Sequence, residues 1–156
     1  MTASNDTAAQ GTSTDVVTST GGAPRVARVS VLLYSDDFTT RDAVRVAVGR
    51  RPAKDVEVVR WHECATADAV ISSVESERFD ILILDGEAAK VGGLGLARQL
   101  KNEIYECPPI IVLTGRPQDS WLAAWSQADL AVPYPLDPIA LTAAVTTLAR
   151  AGATSA

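Results

Sequence analysis

The chain is poor in the residues that build metal and disulfide sites. Among its 156 residues are two cysteines, Cys64 and Cys107, and one histidine, His62. Two distant cysteines make no disulfide framework and, with a single imidazole, no zinc quartet. No uninterrupted apolar run approaches the roughly 20 residues that a membrane helix needs. Nor does a basic stretch followed by a hydrophobic one suggest a secretory signal. Cations are also in short supply: acidic residues outnumber basic ones 19 to 14, and the net charge is −5. Phosphate backbones demand clustered Lys and Arg, so nucleic acid is not an expected partner. The expectation is a reduced, cytoplasmic protein that does not insert into a membrane.

What is present is a normal apolar content, 47% of residues, which suits a globular core in a chain long enough for one domain. Composition changes near residue 25. Residues 1–24 hold nine Ser or Thr, two acids and no base, with Val16 and Val17 as anchors. Such a segment buries too little apolar surface to offset its ordering entropy, so a tail that is disordered or ordered by a partner is expected there. Residues 25–150 read as the folded domain, and residues 151–156 as a short C-terminal tail.

Within the domain, apolar runs alternate with amphipathic segments. Strands are expected at Val26–Tyr34, Val56–Trp61, Phe79–Leu84, Pro109–Thr114 and Leu130–Val132. Helices are expected at Thr39–Arg50, Thr66–Ser76, Leu94–Ile104, Gln118–Gln127 and Pro138–Arg150. The last begins cleanly, with Asp137 as N-cap and Pro138 in the first turn. Five strands alternating with five helices give a doubly wound α/β sandwich with a parallel sheet covered on both faces. Ligands of such sheets sit beyond the carboxyl ends of the strands. There the sequence places Ser35-Asp36-Asp37-Phe38, then Asp85-Gly86, then Thr114-Gly115, then Pro133-Tyr134-Pro135.

If the first and third strands are neighbours, Asp36, Asp37 and Asp85 converge. Crowded carboxylates repel unless a cation or proton joins them, and hard oxygen ligands suit Mg²⁺. A metal there would let Asp85 attack a phosphoryl group, with the Thr114 hydroxyl bonding a phosphoryl oxygen. The plainer reading makes each of these a solvated loop acid. His62 is poorly placed for phosphotransfer, because it ends a strand and that chemistry wants a histidine exposed on a helix of a bundle. A flavin or nucleotide site is disfavoured because SDDFTT puts acids where a phosphate-cradling loop would be.

These motifs, in this order, resemble a response-regulator receiver domain of the CheY-like superfamily. Matching residues are Asp36-Asp37-Phe38, ILILD ending at Asp85, Gly93, VLTG, Ala128-Asp129 and YPLDPIALTAAV. The resemblance implies the flavodoxin-like (βα)5 fold with strand order 2-1-3-4-5 and a cis bond between Tyr134 and Pro135. It implies Asp85 as phosphoacceptor, Asp36, Asp37 and Asp85 as weak Mg²⁺ ligands, and Thr114 as switch hydroxyl. It also implies two-component phosphorelay signalling with a histidine kinase. Three positions depart from the family. Tyr134 stands where the family has its phosphoryl-binding lysine, and can give a hydrogen bond but no charge. Ala131 replaces the switch aromatic. Glu87 adds an acid beside Asp85.

No DNA-binding output unit is expected after Arg150, and no enzymatic activity, so the chain should act through another protein. Two roles are open. One is an atypical single-domain regulator serving as a binding module or accessory subunit of a larger assembly. The other is a phosphorylation-controlled receiver. Candidate interface residues are Trp121 and Trp125, four apart on the fourth helix, and Thr142 and Thr146 on a fifth helix whose outer face carries almost no charge. Together with the fifth strand, and with the N-terminal tail, these helices form the expected partner surface.

Overall fold

The computed structural model describes residues 25–155, so the expectations for the N-terminal tail and for Ala156 lie outside the described residues. Strands β1 (Ala27–Tyr34), β2 (Val56–Cys64), β3 (Ile81–Asp85), β4 (Ile110–Thr114) and β5 (Leu130–Pro133) alternate with five helices. These are α1 (Phe38–Val48), α2 (Ala67–Ser76), α3 (Gly93–Glu103), α4 (Ser120–Ser126) and α5 (Pro138–Ser155). All strands are parallel, in the order β2-β1-β3-β4-β5.

Side chains alternate across the sheet. Val31, Leu33, Ile81, Ile83, Ile111 and Leu113 face one core, with Val44 and Val48 of α1 and Leu141 and Val145 of α5. Leu32, Tyr34, Leu82, Leu84, Ile110 and Val112 face the other, with α2 and α3. Every residue of β3 and β4 is buried, as expected for central strands covered on both faces. The carboxyl ends of β1, β3, β4 and β5 therefore lie side by side, and Asp85 pairs in register with Leu113.

The elements differ from the sequence expectation at several ends. Strand β2 runs on to Cys64, and His62 lies inside it, bonded to Ser73 Oγ at 2.9 Å and tilted on Phe79. Strand β3 begins at Ile81 because Asp80 caps its edge, accepting from Ser30 N at 2.8 Å. Residues Pro117–Asp119 form a 3-10 turn before the short α4, which stops where Gln127 adopts φ 65°. Helix α5 passes through the boundary expected at Arg150 and continues to Ser155, since alanines follow and only Gly152 opposes the helix. The bond between Tyr134 and Pro135 is cis, as the resemblance implies.

Candidate functional site

Asp85 ends β3 at the centre of the sheet and is almost wholly buried. Its carboxylate accepts three hydrogen bonds. Ser35 Oγ donates to Oδ2 at 2.8 Å, and Oδ1 accepts from Glu87 N and from the Tyr134 hydroxyl, both at 2.9 Å. Gly93 opens α3 against the backbone of Asp85, and a Cβ there would collide with it. A residue other than glycine would push α3 away from the carboxylate.

Asp36, Asp37, Asp85 and Glu87 line one cleft with Thr40, Ala89, Gly115 and Tyr134, a cavity of about 370 Å³. None of these lining residues is a cation. Arg41 approaches through Nη1, which donates to Ser35 O at 2.6 Å, but its Nε pairs with Glu63 at 3.0 Å. Arg116, next after Gly115, pairs with Asp119 at 3.3 Å and stays exposed. The Glu87 carboxylate leans over Gly115, where a Cβ would strike it.

The three sequence-proposed metal acids reach one cleft without forming one ligand set. Asp36 accepts from Ala89 N at 2.9 Å. Asp37 is the N-cap of α1, accepting from Thr39 N at 2.9 Å and from the Thr40 hydroxyl at 3.4 Å. Among the described residues, no group of three or more His, Cys, Asp or Glu is placed to hold a metal ion. The donors are hard oxygens of the kind Mg²⁺ takes, but their aim does not fit it as they stand. A bound ion would have to turn Asp36 and Asp37 from these partners.

Tyr134 takes the place that the resemblance gives to lysine. Its phenol is pushed well above the ordinary tyrosine value, first by burial and then by the charge and hydrogen bond of Asp85. It remains a neutral donor to a charged acceptor. Thr114 is buried at the end of β4, and its carbonyl accepts from Tyr134 N at 2.8 Å. Two residues at this site have roles that the sequence did not assign. Ser35 is buried against Asp85, and the Tyr34 hydroxyl donates to Val91 O at 2.6 Å, tying the loop after Asp85 to β1. Both sit at a strand end, which is the signal that pointed to Asp36.

The interface candidates divide. Trp121 is 65% exposed and Trp125 46%, so neither is a core residue. The Arg98 guanidinium lies 4.9 Å from the Trp125 ring and donates to its carbonyl at 2.7 Å. Thr146 is not the open surface position expected: it is 8% exposed, set in a groove that α5 forms with Pro52 and Ala53. Thr142 is half-buried and donates to Ala47 O of α1 at 3.2 Å. The outward apolar residue of α5 is instead Ile139, 80% exposed.

No family model matches the chain. The uncharacterized response regulatory proteins of Mycobacterium tuberculosis strains CDC 1551 and H37Rv are each 50% identical over 123 residues. The alignments cover 79% of this chain and 92% of theirs. Among solved structures, a putative response regulator from Chloroflexus aurantiacus matches with a TM-score of 0.66 at 19% identity, over 79% of this chain and 98% of that one. The signal receiver domain of an HD domain-containing protein from Pseudomonas fluorescens matches with a TM-score of 0.67 at 18% identity, over 86% and 96%. At such identities the solved structures establish the fold.

Proposed function

Because this chain belongs to the response regulator receiver family, we propose that it works as a cytoplasmic protein-binding module or accessory subunit of a larger assembly, without catalysing a reaction and with phosphorylation dispensable. The observation that carries this reading is the Tyr134 hydroxyl on Asp85 Oδ1. A phosphoryl group on Asp85 would bring about two negative charges beside Asp36, Asp37 and Glu87. Among the described residues, none that lines the cleft is a cation to receive them. Losing one charge-assisted hydrogen bond weakens the phosphorylated state by about 1.5–3 kcal/mol. Position 131 supports the same reading. Ala131 has no ring whose two positions could report the change to the surface. A switch needs a ligand that binds its two states differently, and both contributors to that difference are weakened.

Trp121 and Trp125 of α4 are exposed apolar side chains suited to lasting contact, and Ile139 of α5 is exposed beside Pro52 and Ala53. The alternative is a receiver that takes phosphate on Asp85 from a histidine kinase, and the retained acids and Thr114 favour it. Incubation with an acyl phosphate donor and Mg²⁺, read by intact mass, tests the pair. The proposed role expects sparse, short-lived labelling of the natural chain and longer-lived labelling of Tyr134→Lys. Stable, near-complete labelling of the natural chain would favour the kinase-controlled role.

A further inference from the structure

The end of the molecule opposite the cleft carries the opposite charge. At the amino ends of the strands, Arg28, Arg50, Arg51 and Lys54 are all exposed. Glu57 is the carboxylate that serves this group, with Arg50 Nη2 at 2.9 Å and Arg51 Nη2 at 3.6 Å. The hydrogen bond from Arg50 holds its carboxyl below the usual glutamate value, and the charges of Arg50, Arg51 and Arg28 add to this. Glu57 is itself buried, so an approaching molecule meets cations first. Of the other acids at this end, Asp55 is taken by Arg150 at 2.8 Å, and Asp80 accepts from Ser30 N at 2.8 Å. A chain of net charge −5 thus has one distinctly cationic end.

Beside these cations runs an apolar groove. Val46 of α1 is 76% exposed and Val59 of β2 is 53% exposed. With Val58 and Trp61 they line a cavity of about 430 Å³, bordered by Arg50 and Glu57 and by Arg45, which pairs with Asp42 at 3.0 Å and Glu63 at 3.1 Å. Val59 faces outward because the pairing of β1 with β2 slips between Val29 and Ser30, so that no residue of β1 pairs with it. Such a bulge re-aims a side chain away from the ladder.

We propose that this groove docks an acidic segment of a partner protein. One bulky aliphatic or aromatic side chain enters among Val46, Val59 and Trp61, and flanking carboxylates meet Arg50, Arg51 and Lys54. The inference rests on the reading of the chain as a binding module and adds the chemistry of its partner. The desolvated apolar anchor supplies affinity, and the cationic rim supplies steering and salt dependence. A polyphosphate would leave the valines unused and would meet the acidic surplus of the rest of the surface. A second copy of this chain would present Asp36 and Asp37, but their carboxylates already serve Ala89 N and the start of α1. Such a head-to-tail contact also fails to close into a symmetric oligomer.

The test uses the full-length ¹⁵N-labelled chain and a short synthetic peptide with acidic residues on both sides of one leucine. We expect amide shifts confined to residues 45–61, and affinity falling about tenfold in Arg51→Glu/Lys54→Glu and again at high salt. Val59→Ser should weaken binding as well, with an unchanged circular dichroism spectrum confirming that each variant is folded. The inference is overturned if the peptide does not bind at millimolar concentration, if a lysine version binds equally, or if the shifts fall elsewhere. It is also overturned if an oligonucleotide displaces the peptide. Concentration-dependent self-association through this face would overturn it in favour of a second copy. Shifts at residues 45–61 on Val16→Ser/Val17→Ser, without peptide, would overturn it in favour of the chain's own tail. The experiment leaves Asp85 intact and needs no native partner, so its failure does not touch the proposed function, whose failure is read at Asp85.

Discussion

The Tyr134 hydroxyl donates to Asp85 Oδ1 at 2.9 Å, joining the loop after β5 to the end of β3. It does so without a charge. Asp85 already accepts from Ser35 Oγ and Glu87 N, so the carboxylate is held by three neutral donors. Three neutral donors bring no positive charge to offset the charge that a phosphoryl group would add, and the account of this chain turns on that deficit.

Removing the hydroxyl leaves a buried carboxylate with one donor fewer. Tyr134→Phe should lower unfolding stability by about 1.5 kcal/mol, the usual scale for a hydrogen bond to a charged group. Urea denaturation read by tryptophan fluorescence measures it. A change of only a few tenths would show that the bond contributes little.

The same bond predicts a pH dependence. The folded-state value of Tyr134 lies above the ordinary value of 10.0, through burial and then through Asp85. Between the unfolded and folded values the native state binds more protons than the unfolded state, so stability falls as pH rises through that window. The contribution is fully present below pH 10 and is lost above it. The natural chain should therefore lose stability relative to Tyr134→Phe on alkaline titration, and parallel curves would contradict this.

Magnesium should bind weakly. An ion must draw Asp36 from Ala89 N and disturb Asp37 at the α1 cap, whose loss costs about 1 kcal/mol. Amide shifts at residues 36, 37 and 85 should appear only at millimolar metal and vanish in Asp85→Asn. Tight binding, or identical titrations of the two proteins, would be at odds with this geometry.

Helix α4 depends on Arg98, which stacks on Trp125 and bonds its carbonyl. Arg98→Ala should make Trp125 more accessible to acrylamide quenching and lower stability by about 1 kcal/mol. Unchanged quenching would mean that packing elsewhere holds this short helix.

The fold and the cleft were largely legible in the sequence, for identifiable reasons. Strands β3 and β4 are continuous aliphatic runs because both their faces are buried, and each ends on a polar residue that marks the site. The burial along α5 was not legible. Ile139 and Thr146 are seven apart and share one face, so periodicity could not show that the first is 80% exposed and the second 8%. The bulge that exposes Val59 was equally hidden, since a slipped register leaves VEVVRW looking like any buried strand. The aim of Asp36 and Asp37 depends on Ala89 N and on the first turn of α1, contacts that spacing alone does not reveal.

The most direct test of the account is the amount of native partner that co-purifies with the tagged chain, quantified for Asp85→Asn and for Trp121→Ala/Ile139→Glu. The second variant changes exposed side chains only, in contrast to substitutions at Thr146, which would disturb the core. The account predicts that Asp85→Asn retains its partner at the natural level and that the surface variant loses most of it. Loss of the partner in Asp85→Asn, with the surface variant still bound, would contradict the account and make phosphorylation of Asp85 the controlling event.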